Sequence, residues 1–228
     1  MLKDLARLLV SDSCYGCGEL LSGDERYICL GCLSRIEQTG FHLHPADNEL
    51  YLRLAGRVPL AGAAALFYFD KGGQLQQIIQ ALKYGDAPQV GVYLGELYGG
   101  LLRGSAFAAG LEALVPVPLH RSRLIQRGYN QSEQIAIGIG RALGVPVRTD
   151  LVRRARRTLT QTRKSNAARW DNVREAFAAA PAWPASVLLI DDIITTGATL
   201  EACIRAICAA AQPPAGIRIV SIGMARMH

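Results

Sequence analysis

The sequence has no apolar run approaching the roughly 18–20 residues that a bilayer-spanning helix needs, which excludes a membrane-spanning helix by composition alone. Residues 1–10 read as a short helix-like segment carrying Lys3, Asp4 and Arg7. They show neither a long apolar centre nor a small-residue cleavage site, so no signal peptide is expected and the expected location is the cytoplasm. Both common mononucleotide fingerprints are missing. There is no G-x-x-x-x-G-K-[ST], and no G-x-G-x-x-G following a strand. Internal repeats and low-complexity tracts are absent too. Acidic residues are scarce in one place: between residues 151 and 174, Asp171 alone opposes Arg153, Arg154, Arg156, Arg157, Arg163, Lys164, Arg169 and Arg174. That segment holds as much positive charge as the whole chain nets, which is +6. It predicts contact with a polyanion, a nucleic acid backbone or a pyrophosphate.

The apolar half of the 228 residues is enough for one large domain and a small appendage. Residues 58–70 read as a strand. Leu75, Ile78, Ile79 and Leu82 give helical spacing over 74–83, ended by Tyr84-Gly85-Asp86. A helix follows over 89–103, weakened by Gly91, Gly95, Gly99 and Gly100. Residues 111–117 read as a buried strand closed by Pro118. Asn130 or Ser132 caps a helix to about residue 143, and 145–147 reads as a short strand. The clearest buried strand is 187–190. A helix over 199–210 and a strand over 217–222 complete an α/β pattern with a largely parallel sheet flanked by helices. The divisions expected are a helix and cysteine module over 1–37, a polar linker over 38–57, and the main domain over 58–228. Cys203 and Cys208, on the late helix, read as small core residues.

The strongest chemistry lies in VLLIDDIITTGATL, 187–200. An apolar strand ends at Asp191 and Asp192. Thr195, Thr196, Gly197, Ala198 and Thr199 then form a small, hydroxyl-rich turn into a helix. Ligands of open parallel sheets sit beyond the carboxyl ends of the strands. A helix N-terminus offers free N–H groups to a phosphate, Gly197 permits close approach, and the threonine hydroxyls add donors. Paired carboxylates only accept hydrogen bonds, which suits the hydroxyls of a ribose. Their charge also favours positive charge developing at the anomeric carbon. A second segment, LVPVPLHRSRLIQRGYNQSEQIA over 114–136, sets His120, Arg121, Arg123 and Arg127 just past another strand, and arginine forks match phosphate oxygens.

The 187–200 segment resembles the PRPP-binding motif of the type I phosphoribosyltransferases. With V-P-V-P-L-H, R-G-Y-N-Q-S-E, the upstream A-L-K-Y-G at 81–85, and Gln161, Arg169, Asn172 and Phe177 in order, the whole chain resembles the ComF family. Members of that family are phosphoribosyltransferase-like proteins associated with bacterial competence and DNA uptake. The resemblance implies a type I phosphoribosyltransferase-like fold. It implies that Asp191 and Asp192 bind the ribose hydroxyls, and that Thr195 to Thr199 bind the 5′-phosphate. Mg²⁺ would accompany the pyrophosphate and need few protein ligands. The basic stretch falls where such folds often carry a mobile hood, able to close over the pyrophosphate.

Cys14, Cys17, Cys29 and Cys32 form two C-x₂-C pairs eleven residues apart. Two thiolate pairs supply the four soft ligands of a tetrahedral zinc site, and glycines at 16, 18 and 31 give the tight turns around sulfur. Four thiolates leave no open position, so the expected role is structural, with the metal stabilising a segment too small to fold alone.

Two functions remain open at this point. One is an enzyme transferring phosphoribosyl from PRPP to an acceptor, with no general base evident in the sequence. The other is a non-catalytic module of the DNA-uptake machinery that binds single-stranded DNA through the zinc ribbon and the basic stretch.

Overall fold

The computed structural model describes residues 13–154 and 176–226. The helix expected at the N-terminus, and Arg156, Arg157, Arg163, Lys164 and Arg169 of the basic stretch, lie outside the described residues. Four strands form the main sheet: β1 (Gly62–Phe69), β2 (Ala113–Pro116), β5 (Ser186–Ile194) and β6 (Gly216–Ala225), in the order β1-β6-β5-β2. All their pairings are parallel. β3 (Val152–Arg154) and β4 (Phe177–Ala179) pair antiparallel at the two ends of the basic stretch. Val187, Leu188, Leu189 and Ile190 are fully buried, as a parallel strand with both faces covered must be. β5 runs four residues further than its apolar part, so Asp191 and Asp192 lie within its last turns of pleat and not after it.

Among the described residues the helices are α1 (Leu30–Arg35), α2 (Glu49–Ala55), α3 (Gln74–Tyr84), α4 (Pro88–Leu102), α5 (Arg121–Arg127), α6 (Gln131–Leu143) and α7 (Ala198–Cys208). Asn130 caps α6 by accepting from the Ser132 N–H. Cys203 is buried as expected, but Cys208 is exposed at the end of α7 and is not a core residue.

The glycines of α4 have a reason that propensity alone hides. Gly91, Gly95 and Gly99, spaced by four, share one helix face, and that face meets α6. A Cβ on Gly95 would lie 2.2 Å from the Ile135 carbonyl oxygen, and one on Gly138 would lie 2.0 Å from that of Val92. The backbones therefore touch, and α6 is drawn onto β2 and β5 beside the acidic pair.

The segment 38–57 differs from the linker expected. It contains a 3-10 turn at Phe41–Leu43 and then α2, whose Leu50 and Leu54 are fully buried. Asn48 caps α2 and also donates to the Ala63 carbonyl of β1, tying the helix to the sheet. Its apolar positions are too few to give a periodic signal, so the burial was not legible as a pattern.

The close approach of α4 and α6 predicts opposite outcomes for two alanine substitutions. Gly138→Ala should destabilise the protein by about 1–3 kcal/mol through overpacking, although alanine is the better helix former by about 1 kcal/mol. Gly100→Ala, exposed with nothing within 4 Å of the added carbon, should be neutral or slightly stabilising. Urea midpoints compare the two, and equal effects would contradict the packing.

Candidate functional site

The site is built around the carboxyl end of β5. Asp191 accepts hydrogen bonds from the Ser132 hydroxyl (3.1 Å) and from the Asp192 N–H (3.0 Å). Asp192 accepts from the Ile193 N–H (2.6 Å) and pairs with Lys83 Nζ at 2.7 Å. Lys83 comes from the last turn of α3 and Ser132 from the first turn of α6, so two helices converge on two adjacent carboxylates. Lys83 belongs to the A-L-K-Y-G stretch noted in the sequence, but nothing there marked it as a partner of the acidic pair. Ser132 was legible only as a helix cap.

After β5 the chain turns through Thr195 and Thr196 into α7. Gly197 stands at the N-cap with φ of 79°, the left-handed region that favours glycine. A Cβ there would also strike Leu54 at 2.5 Å, so only glycine fits. The side chains at 195, 196, 198 and 199 are exposed around a small concavity that includes Asp191. Arg53 of α2 and Arg57, just past its C-terminus, hold this turn from behind. Arg53 donates to the Thr195 carbonyl at 2.6 Å and to the Ala225 carbonyl at 3.0 Å, while pairing with Glu49. Arg57 donates to the Thr196 carbonyl at 3.2 Å and pairs with Glu201 of α7. These donors satisfy the Thr195 and Thr196 carbonyls, and within the turn the Ala198 N–H donates to Thr196 Oγ1 at 3.4 Å. Sequence reasoning missed both arginines because it read their helix as a linker.

A cavity of about 190 Å³ adjoins the acidic pair. Lys83, Arg123, Arg127, Arg154, Asp191 and Asp192 are among its lining residues. Arg127 donates to Gln131 at 2.8 Å and stacks over the Tyr84 ring at 5.0 Å. Arg154 donates to the Pro118 carbonyl and lies over Phe177 at 4.4 Å, and burial lowers its pKa. Asn130 and Ser132, buried polar residues of the R-G-Y-N-Q-S stretch, complete the wall. His120 and Arg121 do not line this cavity. His120 is exposed and caps α5 by accepting from the Ser122 N–H, and Arg121 is exposed beside it. Arg153 is exposed on β3. The structure thus brings Arg123, Arg127 and Arg154 to the acidic pair and leaves the other three described basic candidates outside.

The sulfur atoms of Cys14, Cys17, Cys29 and Cys32 all lie within 4.8 Å of one another. The Cys17 and Cys29 sulfurs are 3.8 Å apart, the edge expected of a tetrahedron with metal–sulfur bonds of about 2.3 Å. Backbone N–H groups of Gly16 and Cys29 donate to Cys14 Sγ, and that of Cys32 donates to Cys29 Sγ. Such donors stabilise thiolates: burial raises the Cys14 thiol, but the N–H groups of Cys29, Gly16 and Cys17 outweigh it and bring it down to about 6. A Cβ on Gly16 would lie 2.8 Å from Cys32 Sγ and crowd the cluster. The donor set and spacing fit one divalent soft cation. The cluster packs on α4, where Tyr27 meets Tyr93 edge to face at 5.7 Å and Gln89 bonds the Tyr15 hydroxyl.

A parallel sheet with paired carboxylates at the end of an inner strand, followed by a glycine turn into a helix, is the arrangement expected from the sequence's resemblance to the phosphoribosyltransferases. The sequence is 40% identical over 94 residues to competence protein F of Haemophilus influenzae, covering 40% of this chain and 41% of that one. It is 29% identical over 135 residues to the DNA utilization protein YhgH of Escherichia coli K12, covering 58% of this chain and 60% of that one. Over those stretches the chain is similar to these proteins, in line with its resemblance to the ComF family. It spans about two fifths to three fifths of the length of the curated relatives it matches. No protein-family model matches it. Among solved structures, it is similar to adenine phosphoribosyltransferase from Leishmania tarentolae at 12% identity, covering 83% of this chain and 94% of that one, with a TM-score of 0.37. It is similar to an allosteric regulatory enzyme of purine biosynthesis at 18% identity, covering 63% of this chain and 30% of that one, again with a TM-score of 0.37. Likenesses this slight do not bear on substrate or activity. No described helix is long and apolar enough to cross a membrane.

Adjacent carboxylates also set a titration. Burial, then the Asp192 charge, pushes Asp191 up to about 7, against the lowering effect of the Asp192 N–H, Ser132 and Lys83. Its ordinary value is 3.8, so the folded state holds a proton that the unfolded chain releases. Stability should therefore fall as pH rises from about 4 to about 7, then level off. Asp191→Asn should remove that part of the fall. Thermal melts from pH 4.5 to 8 check this, and parallel wild-type and variant profiles would contradict it.

Proposed function

We propose that this chain binds 5-phosphoribosyl-1-pyrophosphate with Mg²⁺ and transfers the phosphoribosyl group to an acceptor, with release of pyrophosphate. The observation that carries the reading is the pairing of an anion-ready turn at 195–199 with two carboxylates and a basic cavity at one sheet edge. The N–H groups and threonine hydroxyls of the turn receive the 5′-phosphate. Asp191 and Asp192 accept from the ribose hydroxyls, and their charge stabilises the cationic character that C1 gains as the pyrophosphate departs. Arg123, Arg127 and Arg154 hold the pyrophosphate. Mg²⁺ supplies charge neutralisation on the phosphate oxygens when bound. Lys83 holds Asp192 until the donor arrives. His120, Arg121 and Arg153 would join only through a rearrangement of their segments, and the remaining basic residues of 156–169 would supply the hood.

The four cysteines hold one structural zinc ion. Metal analysis should give one zinc per chain, and Cys17→Ser should lower both that stoichiometry and the melting temperature. A metal-free chain of unchanged stability would contradict it.

A second reading draws on the relatives' names, a competence protein and DNA utilization proteins. In it, the chain is a DNA-uptake module that binds single-stranded DNA through the zinc ribbon and the basic segment. One set of titrations separates the two. Calorimetry with the donor and Mg²⁺ should show binding by wild type, weakened at least tenfold in Asp191→Ala/Asp192→Ala, since each lost charged hydrogen bond is worth about 1.5–3 kcal/mol. Absence of donor binding, together with oligonucleotide affinity falling steeply with salt, would replace the enzyme reading with the second one.

A further inference from the structure

A second cavity, of about 460 Å³, lies beside the first. Phe69, Lys71, Gln76, Ile79, Gln80 and Lys83 are among its lining residues. Lys83 lines both cavities, so the two meet at the residue that holds Asp192. Their positions follow from the strand order. The arginines stand after β2, on one flank of β5. Phe69 ends β1, on the other flank, with β6 between.

Displacement at C1 requires the incoming and departing groups on opposite faces of that carbon, aligned with the breaking bond. With pyrophosphate held on the β2 flank, the acceptor must come from the β1 flank. Resting on the proposed donor reading, we infer that this second cavity is the acceptor site, and that it takes a planar, acidic nitrogen heterocycle. The volume lies within the usual range for small-ligand sites. Phe69, half-buried, offers flat apolar surface for a ring, with Ile79 buried behind the lining. Gln76 spends its side-chain carbonyl on the Gly72 N–H at 2.8 Å, so it presents its NH₂ as a donor. Two lysines line the cavity and none of its described lining residues is acidic. The neighbouring Asp70 is drawn off to Arg226 at 3.5 Å.

The charge also accounts for the missing general base. None of the described lining residues is suited to take a proton from the acceptor. An acceptor whose attacking ring nitrogen is itself already deprotonated needs none. Its ring-nitrogen lone pair forms the bond to C1, the C1–O bond breaks, and that electron pair leaves on the pyrophosphate oxygen. No proton is transferred in the step.

The test uses the full chain and starts with donor calorimetry, which stands or falls separately. Equilibrium binding of orotate, xanthine and adenine is then followed by ligand-observed NMR. The acidic rings should bind at least tenfold tighter than adenine. Phe69→Ala should weaken them at least tenfold, and Lys71→Glu, an exposed change that spares the core, at least threefold. Donor affinity should stay within twofold in both variants. Donor binding by wild type, combined with no preference for the acidic rings or with indifference to Lys71→Glu, would overturn the inference while leaving the donor reading in place. Loss of donor binding in wild type would overturn both.

Discussion

Two carboxylates next to each other at the end of a buried strand repel, and burial adds to the cost. The ion pair between Lys83 and Asp192, at 2.7 Å, is what makes the arrangement tenable, with the Ser132 hydroxyl serving Asp191. Each partner dictates where a helix must end or begin. α3 has to finish beside β5 to deliver the lysine, and α6 has to start there to deliver the serine. The glycine contact between α4 and α6 is the packing that allows the second. The polar site and the backbone contact behind it are therefore parts of one constraint. Lysine is suited to this position because a single point charge can leave one carboxylate for another anion without breaking a bidentate fork.

The turn at 195–199 depends on a different support. Its own residues are small and hydroxylated, so they cannot hold the backbone in place. Arg53 of α2 and Arg57 just after it reach to its carbonyls, and Leu54 fills the space that a side chain at Gly197 would need. The turn is thus fixed from the side that faces α2, opposite its exposed side chains. The cysteine cluster is likewise joined to the body of the protein through Tyr15 and Tyr27 on α4, and is not simply tethered to it.

Much of this was legible in the sequence where local chemistry repeats a known physical pattern. The buried strand, acidic pair and glycine turn fall in consecutive residues, and the two cysteine pairs lie close along the chain, so both could be read directly. Alternation of strand and helix gave the parallel sheet. Partnerships across the fold could not be read in that way. Lys83 lies 109 residues before Asp192, and nothing local to either announces the other. Gly95 and Gly138 read as helix-weakening residues because propensity ignores a neighbouring helix. The segment 38–57 read as linker because seven residues of helix are too few to show a period. His120 and Arg121 were chosen with Arg123 and Arg127 by proximity in sequence, but a short helix turns them away from the cavity that the other two line.

The most direct measurement is a crystal structure of the chain with the phosphoribosyl donor and Mg²⁺. The account predicts the 5′-phosphate on the N–H groups of 195–199, the ribose hydroxyls on Asp191 and Asp192, and the pyrophosphate toward Arg123 and Arg127, with Lys83 released from Asp192. A donor bound in the reverse sense, with its 5′-phosphate on the arginines and the 195–199 turn empty, would contradict it.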